Sequence, residues 1–229
     1  MNPDPALVSD PIVVLLAWAG GVALAAAVVT GRGVVGAGFT WLASATSVLI
    51  GVWVAVGGDL AAAAGVIAVG LGGVVVKWSR PAATTLLGLG ALGLVAATAE
   101  LAGWPLALTA TAALGGITGE MLLGHWYLVD PTLSRTILRA LAVGGAAGML
   151  LDVTGAALLL GLPDNGFLIA VLAVLALTTI GLMGAVVGAL RYPAYSGVMA
   201  ATGLSYLAVL TGLATVFFAR IFPTSGTPF

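Results

Sequence analysis

Apolar residues recur along this chain in runs too long and too uniform for an amphipathic surface helix or an alternating strand. Each run holds about 20 mostly apolar positions, the length an α-helix needs to cross a hydrocarbon core of ~30 Å. Charges, prolines and glycine pairs mark off eight runs: Pro11–Val29, Phe39–Val56, Leu60–Val76, Ala82–Ala102, Pro105–Leu128, Thr136–Leu160, Phe167–Leu190 and Ala194–Phe218. The third is short, and only Gly103-Trp104-Pro105 parts the fourth from the fifth. The pattern predicts an all-α, polytopic integral membrane protein with eight transmembrane helices.

The charges sort by connection. Arg32 falls between runs one and two, Lys77 and Arg80 between three and four, Arg135 and Arg139 at the junction of five and six, and Arg191 between seven and eight. The intervening connections carry Asp59, no charge, and Asp164, while Arg220 closes the last run. Miscounting by one run would destroy this alternation, so it supports eight independently of hydropathy. The positive-inside rule then puts the basic connections in the cytoplasm and both chain ends on the non-cytoplasmic side of the cell (inner) membrane. Met1-Asn2-Pro3-Asp4-Pro5 brings acids and no cation before the first run, so a retained span is expected there rather than a cleaved signal.

A duplication is hinted at. Lys77-Trp78-Ser79-Arg80-Pro81-Ala82 is similar to Leu190-Arg191-Tyr192-Pro193-Ala194, and Asp59 and Asp164 each lie one span earlier. Two parallel four-helix halves, 1–103 and 104–229, would place such segments in matching positions. The connections are too short to hold a soluble domain.

Composition narrows the chemistry. Hydrophobic residues make up 61% of the chain and charged residues 7%, with a mean hydropathy of +1.22; soluble domains carry about 25% charged residues, so the partner of this surface is the lipid bilayer. A net charge of −1 gives no footprint for nucleic acid. Without cysteine there is no disulfide and no iron–sulfur cluster, and one histidine rules out a bis-histidine haem supplied by this chain alone. Metal binding is not expected from one histidine and scattered acids. The 34 glycines make close helix contacts available, both internally and to other membrane subunits or a second copy.

The densest chemistry lies in Gly119–Pro131, which holds Glu120, His125, Trp126, Tyr127 and a terminating proline, followed by Arg135 and Arg139. An imidazole, a phenol and two guanidiniums at one membrane interface suit a quinone or lipid headgroup, with His125 or Tyr127 bonding a quinone carbonyl, or the arginines a lipid phosphate. Interfacial anchoring by the same residue types is the alternative. Three acids interrupt the spans. Glu120 lies roughly 9 Å inside the basic boundary, Asp152 roughly 12 Å from the opposite one and Glu100 near that opposite surface. All three line up with small residues and are expected to face the bundle interior. There each needs a partner, a proton or a wet cavity, and together they would form a broken proton relay.

The eight-span layout in two four-helix halves resembles the membrane-anchor subunits of the polysulfide reductase type, which engage quinone. It is also similar to the heme A synthase layout, which the histidine count does not match. The resemblance is architectural and implies a subunit of a larger redox, quinone-linked or proton-relaying membrane complex, without catalytic activity of its own. An ion- or proton-coupled transporter or channel, and a structural or assembly protein, are the alternative functions the sequence admits.

Overall fold

The computed structural model describes residues 9–55, 59–130 and 133–222; Asp4, Val56 and Pro131 lie outside them. Among the described residues eight helices follow one another: α1 (Pro11–Gly31), α2 (Ala37–Ala55), α3 (Leu60–Val75), α4 (Arg80–Ala102), α5 (Trp104–Tyr127), α6 (Arg135–Leu159), α7 (Gly166–Ala189) and α8 (Tyr195–Ile221). Seven are long and apolar enough to cross a membrane. The eighth, α3, has 16 residues and rises about 24 Å, somewhat short of a full hydrocarbon core. The polytopic all-α architecture expected from the apolar runs is therefore the one observed.

Helix starts are set by caps that hydropathy does not register. The side chains of Asp10, Asp59, Ser79, Ser134 and Asn165 accept backbone N–H groups at the starts of α1, α3, α4, α6 and α7. Each satisfies a donor that lipid cannot. Ser79 and Ser134 draw Arg80 and Arg135 into the first helical turn, so α4 and α6 begin earlier than their apolar runs. A single non-helical residue, Gly103 at φ +80°, turns α4 into α5, a conformation that favours glycine.

The helices pack as two rings. In the first, α1 meets α2, α2 meets α3, α3 meets α4 and α4 returns to α1; in the second, α5 to α8 close in the same order. The most buried helix of each ring, α1 and α5, join the rings, helped by α4 against α5. Gly21 faces Gly115 and Ala25 faces Gly119, so α1 and α5 run parallel, backbone against backbone.

Long-range hydrogen bonds fix which connections share an end. Arg80, after α3, donates to the carbonyls of Gly33 and Val35, after α1, both at 3.2 Å. Arg135, at the start of α6, donates to the carbonyls of Tyr192, Pro193 and Ala194, before α8. With α1 and α5 parallel, Arg32, Lys77, Arg80, Arg135, Arg139 and Arg191 all fall at one end of the bundle. Arg220 is at the other.

Candidate functional site

Successive residues of an α-helix point about 100° apart, and this separates the polar stretch read from the sequence. His125 is exposed, its Nδ1 3.4 Å from the hydroxyl of Tyr206 on α8. Trp126 turns the other way, edge-on to Phe39 of α2 with ring centroids 6.3 Å apart. Tyr127 is buried under Arg135, whose guanidinium carbon lies 5.8 Å from the phenol ring centre and whose Nε donates to the hydroxyl at 3.4 Å. The two arginines hold protein: Arg135 binds the α7–α8 connection and Arg139 Nη2 donates to the carbonyl of Leu190 at 3.3 Å. Of the expected headgroup cluster, the structure joins Tyr127 to Arg135, places Arg139 on the same connection, and sends His125 and Trp126 to different neighbours.

The three acids also part company. Glu120 is fully buried between α5 and α8, where Ser205 Oγ is hydrogen-bonded to its Oε2 and Oε1 has no partner. A methyl group at Gly124 would stand 2.6 Å from Thr202 Oγ1 and 3.6 Å from Glu120 Oε1, so the bare glycine lets Thr202 pack directly against α5 near the carboxyl.

Asp152 is equally buried but has a cation. Arg220 Nη2 and Nη1 donate to its Oδ1 and Oδ2 at 2.7 and 2.9 Å, and Thr109 Oγ1 donates to Oδ1 at 2.9 Å. The guanidinium, 1% exposed, also donates to the carbonyls of Val216 and Leu106 at 3.1 and 3.4 Å. α5, α6 and α8 are thereby tied together at the end opposite the basic connections. Glu100 departs from expectation: it is exposed, in the last turn of α4, on the outward stripe of Thr85, Leu89 and Leu92. The small residues used to orient it ring α4 rather than marking one face, and the end of the helix gives the carboxylate access to the membrane surface.

Sequence reasoning missed Tyr206, Ser205 and the pairing of Arg220. A phenol and a hydroxyl inside an apolar span were the available signals for the first two. The third had only Arg220's nearness to the end of a span that was drawn to stop at Phe218. The polar residues of α2 behave in two ways. Thr40 bonds Thr30 at 2.8 Å and Ser47 donates to the Ala19 carbonyl at 2.8 Å, crossing between helices, whereas Ser44 and Thr46 bond back to their own helix. Trp41, Trp53, Trp78 and Trp104 are exposed, as anchors at span ends would be. Trp18 instead lies within α1 and donates to Thr118 Oγ1 at 2.8 Å.

Among the described residues no three His, Asp or Glu side chains gather where a metal ion would need them. Compared with protein-family models, curated proteins and solved structures, the chain finds no match.

Proposed function

We propose that this chain is a proton-relaying subunit of a larger, quinone-linked membrane complex, in which Glu120 exchanges a proton and His125 with Tyr206 connects it to the basic end of the bundle. The observation that carries this reading is the Glu120 carboxyl, wholly out of water, with no cation beside it and one oxygen unpartnered among the described residues. Ser205 has a single hydroxyl proton but two oxygens facing it, Glu120 Oε2 and the carbonyl of Ala201 at 2.8 Å. A carbonyl cannot bring a second proton; a carboxylic acid can. The pair is satisfied when Glu120 holds the proton and donates it to Ser205, whose own proton goes to Ala201.

Five residues, a rise of about 7.5 Å, separate Glu120 from His125 along α5. Between them Gly124 leaves α5 bare, and the hydroxyl of Thr202 packs against it on the side where Oε1 also lies. His125 and Tyr206 offer an exposed imidazole and phenol, which suit a quinone carbonyl or a proton arriving from the surface. In this reading Asp152, locked to Arg220, holds the opposite end of the bundle, and Glu100 is a surface acid there. Six cations at the basic end support a cytoplasmic position for it. Support for a subunit role comes from α7, the least buried of the long helices. Its outward face carries Gly181, Gly184 and Gly188, each with open space where a side chain would stand, a surface on which another helix could approach closely.

The experiment is infrared difference spectroscopy on the purified chain, paired with the proton-coupled activity of native membranes. Wild-type protein is expected to show an exchangeable carboxylic-acid stretch that disappears in Glu120→Gln. Glu120→Gln and His125→Ala are each expected to lower activity by about 10²-fold, the usual scale of a lost acid–base group, with Glu100→Gln near wild type. A spectrum unchanged by Glu120→Gln, or equal and negligible effects of all three substitutions, would reject the proposal.

A further inference from the structure

The seam between the two helix rings is open on one flank. There α1 forms a floor, with Leu24 45% and Val28 42% exposed, and α4 and α6 stand on either side of it. Near the basic end the groove is a cavity of about 420 Å³ bordered by Val28, Arg32, Thr84 and Gly88. It continues past Val28 into a narrower cavity of about 170 Å³ bordered by Gly21, Leu24, Thr111 and Gly144. Arg32 is exposed at its mouth, and its guanidinium has no hydrogen-bond partner among the described residues. Beneath the lining, Thr84 Oγ1 and Thr111 Oγ1 are covered by the protein itself and have no hydrogen-bond partner among the described residues.

We propose that this groove binds one anionic phospholipid, with its phosphate on Arg32 and an acyl chain lying along α1. From Arg32 to Gly21 the helix rises about 16 Å, close to half of a ~30 Å hydrocarbon core and so to the reach of one chain in one leaflet. Thr84 sits beside Gly31, its hydroxyl 3.7 Å from where a methyl on that glycine would stand. That is one residue from the cation. The walls are apolar, as a chain requires. Charge selects the occupant: a guanidinium whose donors are free takes phosphate in preference to a neutral headgroup, and Arg135, Arg139 and Arg80 are already spent on backbone carbonyls. This lipid would bridge the two rings.

The test uses the whole chain in mild detergent, titrated with phosphatidylglycerol or with phosphatidylcholine of identical chains, bound lipid being counted by native mass spectrometry. Wild-type protein should retain one phosphatidylglycerol, favoured over phosphatidylcholine by about fivefold, the factor expected of one basic side chain at an anionic headgroup. Arg32→Gln should abolish that preference. Gly88 and Gly144 line the groove and have nothing within 4 Å of an added Cβ, so Gly88→Leu and Gly144→Leu should grow into the groove and eject either lipid. Gly203→Leu, at an equally open position on α8, should leave binding unchanged. The proposal is overturned if Arg32→Gln keeps the preference, if both groove-filling variants hold lipid as wild type does while melting normally, or if a neutral isoprenoid occupies the groove in its place.

Discussion

Replacing Asp152 with leucine is expected to cost about 3–5 kcal/mol of stability, the range found when one partner of a buried ion pair is removed. The loss comes less from the missing attraction than from the charge left behind. Arg220 is 1% exposed and reaches Asp152 through two N–H groups at 2.7 and 2.9 Å; without the carboxylate, its guanidinium would sit in an apolar interior with only the carbonyls of Val216 and Leu106 to meet it. Arg220→Met should be similarly damaging, because it strands Asp152 with a single threonine hydroxyl. The informative variant combines the two. Asp152→Leu with Arg220→Met removes both charges and refills their space with apolar atoms, and buried pairs exchanged in this way are often neutral or better. Denaturant unfolding in detergent, followed by circular dichroism, should rank wild type and double variant close together with both single variants far below. Single variants within about 1 kcal/mol of wild type would place the pair in contact with water, where such pairs contribute little.

That pair also marks where the sequence stopped being informative. Helix number and the alternation of basic connections were legible, because lipid leaves so few solutions for an apolar chain and because cations report the end at which they lie. The position of Glu120 among Gly116, Gly124 and Tyr127 was legible for the same reason as any helix face, the 3.6-residue period. Partners were not. Asp152 and Arg220 lie 68 residues apart, and nothing in spacing says which helix of eight another will touch. The cluster after Gly119 shows a different failure. Density along the chain was taken for density in space, but His125, Trp126 and Tyr127 are consecutive on a helix and must diverge, one to α8, one to α2 and one to Arg135. Proximity in a helical sequence is proximity in space only at separations of three, four or seven. Glu100 failed on its reference points, since small residues surround α4 on more than one side and so define no single inner face.

The close approach of α1 and α5 leads to a sharper expectation, in which one substitution has opposite signs at different positions. Gly21→Ala would bring a methyl group to 2.5 Å from the carbonyl oxygen of Thr111 and 2.7 Å from the Cα of Gly115, and Gly115→Ala to 2.5 Å from the Cα of Gly21. Both collisions are with backbone, so no side chain can rotate away and the helices themselves must separate. Overpacking costs about 1–3 kcal/mol where a core can adjust. Here the upper end is expected for alanine, and more for valine, because parting two helices forfeits dispersion contacts along the whole seam. Gly144→Ala is the counterpart. It lies on α6 with nothing within 4 Å of the added methyl, so only the backbone term remains, and alanine is favoured over glycine in a helix by about 1 kcal/mol. Unfolding measurements should therefore find Gly21→Ala and Gly115→Ala well below wild type and Gly144→Ala at or slightly above it. If the three variants lose stability equally, glycine serves here for a backbone conformation common to all three; if Gly21→Ala alone is harmless, α1 and α5 are not in backbone contact and the seam between the rings lies elsewhere.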